Sequence, residues 1–169
     1  MERHITKPLA AEAQTRQTDP TKSPMHEFLQ AALEEAKQSL AEGGIPIGAV
    51  LVHEGRILGR GRNRRLQQGS SILHAEMDAL ERAGRQRAEV YRRTTLYTTL
   101  SPCAMCSGTV LLYGIPRVVI GENRTFRGEE ELLRARGVTV EIIDHDSCRD
   151  LLAGFVQAHP EIWDEDIGR

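Results

Sequence analysis

From residue 24 onward, apolar side chains recur at helical spacing: Phe28, Leu29, Ala32, Leu33, Ala36 and Leu40 form a stripe that one helix face can bury. Ser23 is a candidate N-cap, Pro24 suits the first helical position, and Gly43-Gly44 stops the run. The period then shortens. Residues 47–52 and 56–60 read as strands around His53-Glu54-Gly55, a hairpin. Beyond it, helices over 74–83, 103–113, 129–136 and 146–159 alternate with strands over 95–99, 117–121 and 138–143. Gly84 and Gly114 close the first two of those helices, and Asp146 or Ser147 caps the last. A hairpin followed by strand-helix repetition predicts an α/β fold. The expected form is a three-layer α/β/α sandwich on a mixed, mostly parallel five-stranded sheet.

Residues 1–24 mix Thr, Gln, Lys and Pro without an apolar period, so a flexible N-terminal extension is expected before one domain over 25–169. At 169 residues, 40% of them hydrophobic, the chain suits one core rather than two. A formal net charge of −2 offers no global attraction for nucleic acid and favours a small molecule as partner. No apolar run is long enough for a bilayer, and the N-terminus lacks the apolar stretch of a signal peptide. A cytoplasmic protein is expected. The three cysteines, a close pair and one remote residue, are a poor disulfide framework and suit a reducing compartment.

The chemistry concentrates in a split motif, His74-Ala75-Glu76 followed by Pro102-Cys103-Ala104-Met105-Cys106. Cysteines three apart at a helix start share a face, and the helix N-terminus favours their thiolate form. Alone, such a pair could equally be a redox couple, half a zinc knuckle or two small buried residues. His74 and Glu76 are two apart, so on a regular helix they would point to opposite sides. They can share a site only if His74 sits at the helix boundary with its backbone not yet helical. A lone His-x-Glu is ordinarily a helix-end histidine with a solvated acid. Together, however, the residues provide three zinc ligands, one uncommitted carboxylate and no evident fourth ligand. That is an open, catalytic zinc site rather than a closed structural one. Two thiolates weaken zinc as a Lewis acid, so a nearby base should help, and Glu76 is placed to move protons.

At these residues the chain resembles the cytidine deaminase superfamily, and from about 43 to 169 it is similar to the fungal-type cytosine deaminases. The likeness includes Ile45-Pro46-Ile47-Gly48, Asn63, the stretch 94–103, Tyr113-Gly114-Ile115-Pro116-Arg117, Gly121-Glu122-Asn123, Phe126 and Glu165-Asp166-Ile167-Gly168. The resemblance implies a homodimer with one zinc per subunit that hydrolyses free cytosine to uracil and ammonia and accepts small 5-substituted cytosines such as 5-fluorocytosine. It implies His74, Cys103 and Cys106 as ligands and Glu76 as proton shuttle. Asn63 and the Ala75 N–H would bind the pyrimidine edge, Asp166 and the Ser101 carbonyl the amino group, and Phe126 and Trp163 would cover the base. Without the resemblance, Asn63 reads as a turn residue, Phe126 and Trp163 as core anchors, and Asp166 as a solvated charge in an acidic tail. This chain departs from the fungal pattern at Ala75, where a glycine is expected, at Ala104, where an acid is expected, and in a segment between 123 and 130 one residue shorter.

Two other readings compete. One is another deaminase of the same superfamily, a guanine or tRNA adenosine deaminase: Arg60, Arg62, Arg64 and Arg65 could form a phosphate strip beside the site, although strand alternation sends them to different faces. A non-catalytic zinc module would recruit Cys148 or another histidine as fourth ligand; Cys148 reads more simply as a small buried residue.

Overall fold

The protein is described here by a computed structural model of residues 24–169. The N-terminal extension, with the Ser23 cap, lies outside those residues. The amphipathic run forms α1 (Pro24–Ala41), with Pro24 at its start as expected. The hairpin is β1 (Gly48–His53) and β2 (Arg56–Arg62), joined by the two-residue turn Glu54-Gly55. A short turn of helix, α2 (Arg65–Gln68), leads to α3 (Ala75–Ala83). Then come α4 (Ala88–Tyr91), β3 (Thr94–Leu100), α5 (Ala104–Tyr113), β4 (Arg117–Glu122), α6 (Glu130–Ala135), β5 (Thr139–Ile142), α7 (Asp146–Ala158) and α8 (Pro160–Asp166).

The five strands form one sheet in the order β2-β1-β3-β4-β5. β1 runs antiparallel to both β2 and β3, whereas β3, β4 and β5 pair in parallel. Only β1 is reversed, so the sheet is mixed and mostly parallel. Its central strands read as continuous apolar runs because helices cover both faces. Val50, Tyr97 and Val119 pack with Leu29 and Ala32 of α1. On the opposite face Leu51, Leu96 and Val118 pack with Ala79 of α3 and Val110 of α5. This pleat alternation also puts Thr98, two residues from Leu96, on the α3 face.

α3 carries half of the split motif, and β2 lets it sit close to the sheet. A Cβ added at Gly61 would lie 2.1 Å from the Ala79 nitrogen and 2.3 Å from the Ala75 carbonyl oxygen. Both are backbone atoms that cannot swing aside. Gly61→Ala is therefore expected to cost about 3 kcal/mol or more, at the upper end for overpacking, read as a lower urea midpoint; an unchanged midpoint would refute the close seating of α3.

Three short elements, α2, α4 and α8, depart from the expected pattern, which has loops there. The last long helix also begins differently: His145 is its N-cap, with Asp146 already helical. The His145 N–H donates to the Gly121 carbonyl, so the end of β4 sets that start rather than a side-chain cap.

Candidate active site

Two helix starts meet beyond the end of β3. His74 is the N-cap of α3 with extended backbone (φ −63°, ψ 162°), and Cys103 is the N-cap of α5 (φ −67°, ψ 177°). The boundary position lets His74 turn toward the cysteines while Glu76, already helical, projects beside it. Cys103 stands just outside α5 rather than in its first turn. His74 Nδ1 lies 3.4 Å from Cys103 Sγ and 3.8 Å from Cys106 Sγ. A tetrahedral zinc with ordinary Zn–N and Zn–S bonds holds its nitrogen and sulfur donors about 3.6 Å apart. The donor set and its spacing thus fit zinc. Among the described residues the cluster has three ligands, and all three donor atoms lie within 4.8 Å of one another. Cys148 is no part of it. Its sulfur packs against Gly121, and burial first, then the charge of Glu122, pushes its thiol up to about 12.

The neighbouring groups are electrostatically coupled. The bond between Cys103 and Cys106, opposed by burial and aided by His74, holds Cys103 at about 4. Cys106 is pushed well above the usual thiol range by the same bond and by burial. Burial also raises the Glu76 carboxyl, with the Cys103 charge adding to it. For His74, burial is the largest influence and acts downward, but the Cys103 bond and the Asp166 and Glu76 charges together outweigh it and leave its value raised. Glu76 is 5% exposed. Its Oε1 accepts from the Thr98 hydroxyl at 2.9 Å, and its Oε2 lies 3.4 Å from Cys106 Sγ.

A cavity opens onto this cluster. Its wall includes His74, Ala75, Glu76, Ser101, Cys103, Phe126, Trp163 and Asp166. Ile47, Leu100 and Ile167 complete the lining; all three lie in stretches that carry the family likeness, which gave them no role at the site. Phe126 meets Trp163 edge-on, with ring centroids 6.1 Å apart and planes at 83°. Trp163 is also part of the main core, as the anchor reading expects. Ala75 is buried at the wall, whereas Ala104 is exposed outside it. Of these two alanines, only Ala75 adds a methyl to the cavity.

Asp166 comes from α8, far along the chain, and is 7% exposed. Its carboxylate accepts from Asn63 Nδ2 at 3.1 and 3.2 Å and from Arg65 at 2.9 Å, and it lies 3.7 Å from His74 Nε2. A carboxylate behind the second nitrogen of a metal-ligating histidine fixes its tautomer and orientation. Asn63 is fully buried behind Asp166 rather than on the cavity wall. Its Oδ1 accepts the Arg65 N–H, the turn geometry read from its residue type. Arg65, which also binds Glu165 at 2.6 Å, belongs to this group and was not singled out for it; only its opposite charge hinted at the acidic tail.

Three of the four arginines of the suggested strip are held by carboxylates: Arg62 by Glu35 and Glu42, Arg64 by Asp78, and Arg65 by Glu165 and Asp166. Arg60 is exposed on β2.

A nitrogen and two sulfurs converging beside a buried acid, with one side facing a cavity on a mixed α/β/α sheet, define a zinc hydrolase of the deaminase class. Residues 22–122 match the zinc-binding region of cytidine and deoxycytidylate deaminases, and the chain belongs to that family. It is 52% identical over 141 residues to a cytosine deaminase of Candida albicans, across 83% of this chain and 94% of that one. It is 42% identical over 121 residues to a tRNA-specific adenosine deaminase of Streptococcus pyogenes, across 70% of this chain and 74% of the relative. Among solved structures, a tRNA:A34 deaminase superposes with a TM-score of 0.65 at 27% identity, over 75% of this chain and 99% of that chain. Among the described residues, no helix is long and apolar enough to cross a membrane.

Proposed function

We propose that the chain is a zinc-dependent cytosine deaminase, converting free cytosine to uracil and ammonia and accepting small 5-substituted cytosines. The observation that carries this reading is the cavity roofed by Phe126 and Trp163, with Glu76 and Asp166 both on its wall. Two aromatic rings beside polar groups suit one flat base. The 52% identity with a fungal cytosine deaminase across most of both chains supports the same substrate.

In this reading His74, Cys103 and Cys106 hold the ion. Zinc bound there lowers the pKa of water and so supplies the hydrolytic nucleophile. Glu76 takes a proton from the attacking water and delivers it to the ring nitrogen as the C–O bond forms at the amino-bearing carbon; it then takes the proton of the added hydroxyl and passes it to the amine, so that the C–N bond breaks, the carbonyl forms and ammonia leaves. Burial raises its carboxyl, which brings it closer to the range where it can both accept and return a proton. Asp166 and the Ser101 carbonyl receive the amino group, and the Ala75 N–H holds the far edge. Asn63 acts with them by donating to Asp166 and keeping that carboxylate in place. The protein works in the cytoplasm as a homodimer with one zinc per subunit. The exposed apolar residues of α5, Leu112 at 77% and Tyr113 at 40%, support a buried partner there.

With Arg62, Arg64 and Arg65 paired to carboxylates, Arg60 alone of that strip is left for phosphates, which argues against an RNA substrate. The test is ammonia release from cytosine, guanine and an anticodon stem-loop at equal enzyme concentration, with zinc removed by a chelator in parallel. Cytosine alone should release ammonia. Chelation should abolish release and added zinc restore it. Efficient conversion of the stem-loop would overturn the reading.

A further inference from the structure

Of the acidic run Glu129-Glu130-Glu131, Glu130 alone is buried, at 1% exposure. A carboxylate withdrawn from water persists only where donors replace its hydration. Here Oε1 accepts from the Ser101 hydroxyl at 2.9 Å and from Asn123 Nδ2 at 3.0 Å. Its nearest cation, Arg134, is 3.5 Å from the other oxygen. The Ser101 hydroxyl accepts in turn from the Gly128 N–H at 3.0 Å, and the Glu129 N–H donates to the Pro102 carbonyl. Gly128 has no room for a side chain, since a Cβ would lie 1.9 Å from that carbonyl oxygen. Residues 128–130 are thereby fastened to 101–102, immediately before Cys103. Asn123 fastens the other end of the same loop to the same carboxylate. Phe126 lies between the two anchors and covers the cavity.

We infer that Glu130 is a positioning residue of the cavity: one oxygen gathers both ends of the 123–130 loop and the Ser101 hydroxyl, and so sets where Phe126 and the Ser101 main chain stand. It touches neither the reacting base nor the metal cluster. The inference deepens the cytosine reading and rests on it for its kinetic part. It also defines what the shortened 123–130 segment must span.

The chain has a single tryptophan, so Trp163 emission reports on the Phe126 contact without any substrate. In the zinc-loaded full chain, Glu130→Ala is expected to keep its zinc, shift Trp163 emission and expose it to acrylamide quenching. The KM for cytosine should rise about tenfold or more with a smaller change in kcat, as misplacement of a binding group produces. Glu130→Gln keeps an acceptor oxygen and should restore most of both signals. Ser101→Ala should act in the same direction, and the double variant should cost little more than either single one. If Glu130→Ala does not fold, Asn123→Ala removes one donor and should show the same emission shift. Unchanged Trp163 emission and KM in the folded variant, additive losses, or a Gln variant as impaired as Ala would each overturn the inference. A wild-type chain inert toward cytosine would instead sink the functional reading, leaving the loop clamp to be decided by Trp163.

Discussion

Replacing Glu76 with glutamine is expected to leave zinc bound and the fold intact while lowering kcat for cytosine by about 10²–10⁴, the usual share of a general acid-base group. Glutamine has nearly the same shape and keeps an oxygen for the Thr98 hydroxyl that now donates to Glu76 Oε1. It cannot carry a proton. The loss should be large here because two thiolates dampen the metal's pull on water, which leaves more of the proton movement to this side chain. The carboxyl is also buried, and burial favours its protonated form. The measurement is single-turnover ammonia release beside zinc stoichiometry. A variant within about tenfold of wild type would remove Glu76 from proton transfer, whereas one that lost its zinc would make it a structural support of the cluster. A non-catalytic zinc module would have no turnover to lose.

The parts of this arrangement that were legible from residue order are those with a local physical cause. The period of α1 and the alternation of strands and helices followed from apolar spacing, and the boundary position of His74 followed because no regular helix can aim residues 74 and 76 at one point. What escaped was set by contacts distant in sequence. α2 and α8 are short and carry little apolar period, Arg65-Leu66-Gln67-Gln68 and Pro160 to Asp166, so nothing local separates them from loop. Asn63 and Arg65 meet Asp166 about a hundred residues later, a pairing that only the folded sheet creates. In Glu129-Glu130-Glu131 the three acids are alike, and the close approach of Gly128 to Pro102 decides which one is buried. The resemblance pointed to Asp166 as a substrate contact, but its bonds with Arg65 and Asn63 and its place behind His74 came from the fold.

Those bonds make Asp166 the second group whose loss should be severe. Asp166→Asn is expected to lower kcat/KM for cytosine by about 10²-fold or more, combining loss of the acceptor for the substrate amine with loosened orientation of His74. Asparagine keeps the volume and can still accept one bond from Arg65 or Asn63. Alanine would instead take from the mostly buried Arg65 guanidinium, whose side chain is 13% exposed, the buried one of its two carboxylate partners, leaving only the exposed Glu165; removing one partner of a fully buried pair costs about 3–5 kcal/mol, and Glu165 reduces that here. The asparagine variant therefore separates chemistry from folding, and the alanine variant does not. The two proposed functions of Asp166 also separate. If it serves the amine, cytosine turnover falls while zinc stays at one per chain. If it serves chiefly to steady His74, zinc affinity falls about 10- to 100-fold and added zinc recovers much of the rate. Competitive chelator titration of the variant beside its cytosine kinetics distinguishes them, and normal values in both would place Asp166 outside the site despite its position on the cavity wall.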